Sequence, residues 1–124
     1  MAPIATFGLV VLDCPDRRLL ARFYADITGW EIDPDHQDGD WVQLRAPHGG
    51  PTLAFQQVPD YRPPRWPGSE HPQQAHLDFY VPDLDAAEQR LLAGGARKHA
   101  VQPGTAFRVY LDPAGHPFCL VRAS

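Results

Sequence analysis

His76 and Asp78 stand two residues apart in the run His76-Leu77-Asp78-Phe79-Tyr80-Val81, and alternation along an extended chain sends both side chains to one face. An imidazole beside a carboxylate is a base with an orienting partner, although two positions along one strand make direct contact awkward. The thiols are Cys14 and Cys119, at opposite ends of the chain. They lack the Cys-x-x-Cys spacing of a zinc knuckle, and no disulfide framework is indicated, so both are expected to be reduced. His36, His48, His71, His99 and His116 fall in turn-forming or connecting stretches, where solvated surface is the plain reading.

The rest of the composition narrows what these groups can serve. A chain of 124 residues with 44% hydrophobic content matches one independently folding domain. Lys plus Arg total 11 against 15 for Asp plus Glu, and the basic residues are scattered, which argues against a nucleic-acid partner. The apolar run Phe7 to Leu12 is too short to span a bilayer and lacks a basic lead and a small-residue cleavage site, so no membrane partner and a cytoplasmic location are expected. Fourteen prolines and ten glycines limit helix length and imply short elements joined by sharp turns.

The elements that must position these side chains occur twice. Shifted by 67 positions against itself, the chain lays Leu9-Val10-Val11-Leu12 on His76-Leu77-Asp78-Phe79, Pro15-Asp16 on Pro82-Asp83, and Trp41-Val42-Gln43-Leu44 on Arg108-Val109-Tyr110-Leu111. One deletion also brings Gly29 onto Gly95 and Pro51 onto Pro117. In the first copy a strand over residues 6–14 precedes Asp16, a helix cap. Leu19, Leu20, Phe23, Tyr24 and Ile27 then make one apolar stripe that stops at Gly29. In the second copy Asp83 is the cap, Leu84, Ala87, Leu91 and Leu92 the stripe, and Gly94-Gly95 the stop. Short strands follow each helix, over 30–33, 39–45 and 52–57, then 98–102, 106–112 and 118–122.

Each half is therefore βαβββ: module 1 over about residues 5–58 and module 2 over about 75–123. Residues 59–74 join them and contain Pro59, Pro63, Pro64, Pro67 and Pro72, which bars a sheet interior. This connection is either a plain linker or a lid whose Tyr61 and Trp66 cover apolar surface.

Two βαβββ units, the phrases DCPDRRLLARFYADITGW and HLDFYVPDLDAAEQRLLAGGA and the ending DPAGHPFCLV resemble the vicinal oxygen chelate superfamily of glyoxalases, bleomycin-resistance proteins and extradiol dioxygenases. Among its branches the glyoxalase-like domains look most similar. The resemblance implies an α+β fold of two tandem βαβββ modules whose curved sheets enclose a cavity, with the helices outside, and a homodimer whose pocket lies within one chain or is shared. It does not by itself give an activity.

With His76 facing the cavity, as the resemblance implies, alternation places Asp78 and Tyr80 inward and Leu77, Phe79 and Val81 against the helices. By the shift, Leu9, Val11, Trp41, Gln43, Arg108 and Tyr110 face inward, joined by Leu53, Phe55, Gln57, Cys119 and Val121 from the last strands. Trp41, Phe55, Leu9 and Val11 are residue types more often found as plain core than as ligand contacts. Inward Gln43, Arg108, Asp78 and His76 need partners, and Arg108 with Asp78 could form a structural ion pair.

The resemblance also implies a divalent ion held by the first and last strand of each module, at positions that read Leu9, Leu53, His76 and Cys119. Leucine offers no lone pair, so the ligand set is incomplete and no cofactor is expected; a shift of one or two residues would bring in Gln56 or Gln57. His76 and Cys119 would then lie close together, where the imidazole favours a reactive thiolate, or Cys119 is a small buried hydrophobe. The first expectation is a metal-free protein that binds a small organic molecule through Trp41, Gln43, Phe55, Gln57, Asp78, Arg108, Tyr110 and Trp66. The second is a glyoxalase-type lyase or isomerase using a rearranged metal site or His76 and Cys119, and the third is a domain without a small-molecule role.

Overall fold

The β-branched and leucine-rich start of the chain pairs as strand β1 (Leu9–Cys14), and Asp16 then turns the chain into helix α1 (Arg17–Thr28). The cap works as its side-chain chemistry requires: Asp16 Oδ1 accepts from the Arg18 and Leu19 N–H groups at 3.1 Å each. Gly29 closes the helix in the left-handed region at φ 72°, where a Cβ would be strained. Strands β2 (Glu31–Asp38), β3 (Trp41–Arg45) and β4 (Thr52–Gln57) follow. They assemble in the order β1-β4-β3-β2, with β1 parallel to β4 and the other pairs antiparallel.

The second copy repeats this plan. Strand β5 (Leu77–Val81), helix α2 (Leu84–Ala93), and strands β6 (Arg97–Lys98), β7 (Phe107–Leu111) and β8 (Pro117–Arg122) form a sheet ordered β5-β8-β7-β6. Asp83 Oδ1 caps α2 through the N–H groups of Asp85 and Ala86. The structure is a computed structural model describing residues 2–123, and these divide into two compact units between Tyr61 and Arg62. The tandem α+β architecture expected from the repeat is thus observed, each module being a four-stranded sheet with one helix. No helix among the described residues is long and apolar enough to cross a membrane.

In module 1 the core lies between α1 and the β3–β4 part of its sheet. Leu20, Phe23 and Tyr24 meet Val42, Leu44 and Phe55, and the Tyr24 and Phe55 rings stack with centroids 5.6 Å apart. Burying a phenylalanine contributes roughly 1.5–3 kcal/mol and such a ring pair about 1 kcal/mol more. In module 2, Tyr110 stacks on Phe118 at 5.8 Å and Phe79 meets Phe118 edge-on.

Several element boundaries differ from expectation, each for a local reason. Strand β2 continues to Asp38 across a bulge between Ile32 and Gln37, because buried Asp33 accepts from the Asp35 N–H, from Arg45, and meets His36 Nδ1 at 2.8 Å. Strand β6 stops at Lys98 instead of reaching Gln102. There the Gln102 side chain takes the place of a strand, accepting from the Val109 N–H and donating to the Val109 carbonyl.

The largest correction concerns which face each residue occupies. From cap to left-handed glycine, module 1 runs Asp16 to Gly29 and module 2 runs Asp83 to Gly95, one residue shorter. The turn before the last strand is one residue shorter again: Gln43 pairs with Ala54, but Val109 pairs with Cys119. Hence the counterparts of Trp41 and Gln43 are Phe107 and Val109, and the counterpart of Cys119 is Ala54. A slip of one residue reverses the face. Leu53, Phe55 and Gln57, and likewise Arg108 and Tyr110, therefore sit on the helix faces of their sheets and not on the inward faces.

Candidate functional site

Strand β5 carries Asp78 opposite Cys119 of β8 in a parallel ladder, and His76, just before the strand begins at Leu77, meets Asp78 on that side. This is the face turned away from α2, since Leu77, Phe79, Phe118 and Leu120 take the other side. His76 Nε2 lies 3.3 Å from Asp78 Oδ1, so the contact that looked awkward along one strand does form. Both side chains are about half exposed, at 43% and 46%, whereas Cys119 is 8% exposed and forms the floor of the cluster. One donor atom from each of His76, Asp78 and Cys119 lies within 4.8 Å of the others.

The electrostatics oppose the thiolate reading. Burial, followed by the charge and hydrogen bond of Asp78, pushes the Cys119 thiol up to about 11. This favours the neutral thiol, and with it the reading of Cys119 as a small buried hydrophobe, over the thiolate. Cys14 and Cys119 are both buried free cysteines.

The two-module ion implied by the resemblance does not fit these residues. At the ladder positions matching His76, Asp78 and Cys119, module 1 presents Leu9, Val11 and Ala54, none with a donor side chain. The position assigned to Leu53 from sequence belongs to Ala54, and Leu53 packs on the helix side.

Module 1 offers a different constellation on the face away from α1. Trp41 and Gln43 project there from β3, and Trp41 Nε1 donates to Gln43 Oε1 at 3.2 Å. Gln56, the ladder partner of Trp41, lies on the same face and donates to Asp40 Oδ2 at 3.1 Å. Gln57 is instead committed to the helix start, where its Oε1 accepts from the Arg17 N–H and guanidinium. Sequence reasoning had named Gln56 only as a shifted alternative; the extra turn residue before β4 is the signal that selects it.

Arg108 and Tyr110 likewise have structural employment. Arg108 pairs with Asp85 at 2.7 Å and lies 3.4 Å from Glu88, so the alternative of a structural pair with Asp78 is not the one formed. Tyr110 donates to Glu88 Oε1 at 2.8 Å, and this hydroxyl is the main cause holding the Glu88 carboxyl below its ordinary range. Trp66 packs edge-on against His99, whose Nε2 meets the Trp66 carbonyl at 2.8 Å. His116 is not solvated surface: its Nδ1 meets buried Asp112 at 2.7 Å.

Comparison with known proteins follows the geometry. No curated protein sequence matches the chain. Among solved structures, the fold is similar to a glyoxalase/bleomycin resistance protein/dioxygenase family enzyme from Burkholderia phytofirmans PsJN, with a TM-score of 0.73, 16% identity, and 97% of this chain and 100% of that chain covered. It is also similar to a possible glyoxalase from Bacillus cereus, with a TM-score of 0.66, 13% identity, and 96% and 99% covered. An antibiotic binding protein from a Streptomyces species aligns with a TM-score of 0.64, 20% identity, and 100% of both chains covered. At these identities the likeness speaks for the fold. The family model described as the glyoxalase-like domain matches residues 9–121, nearly all of the two modules, and the chain belongs to that family within the vicinal oxygen chelate superfamily.

Proposed function

We propose that this protein binds a small aromatic or cationic organic molecule on the face of the module 1 sheet that carries Trp41, without a catalytic metal. The observation that carries the reading is the grouping of Trp41, Gln43 and Gln56 on the one face that α1 leaves uncovered, with Asp40 bonded to Gln56. A half-buried indole supplies a stacking surface, and amides with a carboxylate beside it give orientation and a preference for positive charge. The similarity to an antibiotic binding protein supports a binding role. The free, buried cysteines support a cytoplasmic setting, and the family resemblance supports a homodimer.

Titration with acridine orange as a cationic aromatic and naphthol as a neutral one, read by tryptophan fluorescence, tests this reading. Saturable quenching that is strongest for the cation, lost in Trp41→Ala and kept in Trp66→Phe, is the expected result. Quenching that survives Trp41→Ala overturns it.

A second reading, a glyoxalase-type lyase or isomerase, is favoured by the His76 contact with Asp78 at 3.3 Å, which orients an imidazole for proton transfer. In that case His76→Ala abolishes turnover of a hemithioacetal substrate and leaves acridine orange binding intact.

A further inference from the structure

The register of the module 1 sheet lays out a small grid on the face that α1 leaves uncovered. Trp41, Gln56 and Asp13 form one row across β3, β4 and β1, and Gln43, Ala54 and Val11 form the next. Trp41, Gln43 and Gln56 are half-buried, Asp13, Val11 and Asp40 are exposed, and Ala54 brings only a methyl group to the face. Gln43 and Gln56 therefore stand at opposite corners of a square whose other two corners are an indole and an alanine.

Each amide has its orientation set by a partner that has no choice. The indole N–H of Trp41 can only donate, so its 3.2 Å bond turns Gln43 Oε1 toward the ring and leaves the Nε2 donors to the face. The Asp40 carboxylate can only accept, so its 3.1 Å bond turns Gln56 Nε2 toward it and leaves Gln56 Oε1 to the face. Neither Gln43 Nε2 nor Gln56 Oε1 has another partner among the described residues. Asp13, the ladder partner of Gln56, adds a second carboxylate at that corner. The face thus has a direction, with donors at the Gln43 end and acceptors at the Gln56 end. Diagonal neighbours of this kind lie about 7–8 Å apart, a span that one para-substituted benzene ring bridges.

We propose that this face selects aromatic molecules with a hydrogen-bond donor at one end of the ring and a carbonyl-type acceptor at the other, the class of aminoaryl carbonyl compounds. The ring lies against Trp41, the carbonyl oxygen accepts from Gln43 Nε2, and the amino group donates to Gln56 Oε1 beside Asp40 and Asp13. Binding is non-covalent, and no bond forms or breaks. A molecule lacking either group leaves one amide without a partner, which is how a site built for hydrogen bonds rejects an analogue. The proposal rests on the Trp41 face being the binding face, and it narrows the ligand from any aromatic or cationic molecule to one with two unlike ends.

The test titrates para-aminoacetophenone, acetophenone and aniline separately into the full chain and follows the side-chain N–H resonances of Trp41, Gln43 and Gln56. The expected result is that para-aminoacetophenone binds at least about fivefold more tightly than either single-group probe, one net hydrogen bond in each comparison. Gln43→Glu keeps an acceptor for the indole and removes the donors. It lowers the affinity for para-aminoacetophenone to near that for aniline and leaves aniline binding unchanged. Gln56→Met does the same relative to acetophenone. Equal affinities for the three probes, no binding of any of them, or a Gln43→Glu loss as large for aniline as for para-aminoacetophenone overturns the proposal. The ligand class and the binding face fail separately: equal affinities that all vanish in Trp41→Ala strike the class and leave the face, whereas binding that survives Trp41→Ala strikes both. If none of the three binds, the acridine orange titration still judges the face. Circular dichroism of each variant shows that the fold is retained. If Gln43→Glu unfolds, Gln43→Met decides by the same comparison with aniline.

Discussion

The Tyr110 hydroxyl donates to Glu88 Oε1 at 2.8 Å, joining the middle of β7 to helix α2 across the face where the module 2 core lies. Lys98 Nζ approaches the same carboxylate at 3.0 Å, and Arg108 closes the group from β7. The arrangement explains why an aromatic hydroxyl and a guanidinium on alternate strand positions are spent on structure.

The sign of its pH dependence is set by Glu88. The Tyr110 hydrogen bond, ahead of the Lys98 contacts, lowers its folded pKa from the ordinary 4.5. Its contribution to stability is therefore complete above that value and is lost as pH falls through the lower folded one. Urea midpoints across the acid range should fall less steeply for Glu88→Gln than for the wild type. Parallel curves would remove Glu88 from the account.

Phe55 and Trp41 lie on neighbouring strands but on opposite faces, and their truncation should separate core from site. Phe55 is fully buried against Tyr24, so Phe55→Ala should lower unfolding free energy by roughly 3–5 kcal/mol. Trp41→Ala, at a half-buried position, should cost less than half of that and abolish acridine orange quenching. Denaturant unfolding of both variants, set beside the dye titration, checks the pair.

Asp112 is fully buried and holds the turn before β8. Its Oδ1 accepts from the N–H groups of Ala114 at 2.8 Å and His116 at 3.0 Å, while Oδ2 meets His116 Nδ1. Asp112→Ala leaves those donors without this acceptor and should destabilise by about 2–3 kcal/mol. Asp112→Asn keeps one acceptor oxygen and should lose less, a ranking that thermal unfolding reads directly.

Gln102 stands in for a missing strand segment by bonding both backbone groups of Val109. Gln102→Ala should cost about 1–2 kcal/mol and speed hydrogen exchange at the Val109 amide while leaving the amides of β4 unchanged.

Much of the architecture was legible because its determinants are local. Asp16 and Asp83 cap helices wherever the chain places them, Gly29 takes a backbone conformation that other residues avoid, and the recurrence of Pro-Asp and apolar runs marks two modules. Those features let the sequence by itself establish two βαβββ units.

The faces were decided only by tertiary structure. Side chains in a strand alternate with period two, so a helix one residue shorter and a turn one residue shorter each reverse every assignment downstream. An alignment that places Trp41 on Arg108 is off by one, and that residue moves Arg108 and Tyr110 onto α2, while the separate one-residue difference in the turn before the last strand moves Phe55 onto Tyr24. The same pairing geometry brings Asp78 beside Cys119, a neighbour no spacing in the sequence announces, because ladder partners 41 residues apart are chosen by strand register.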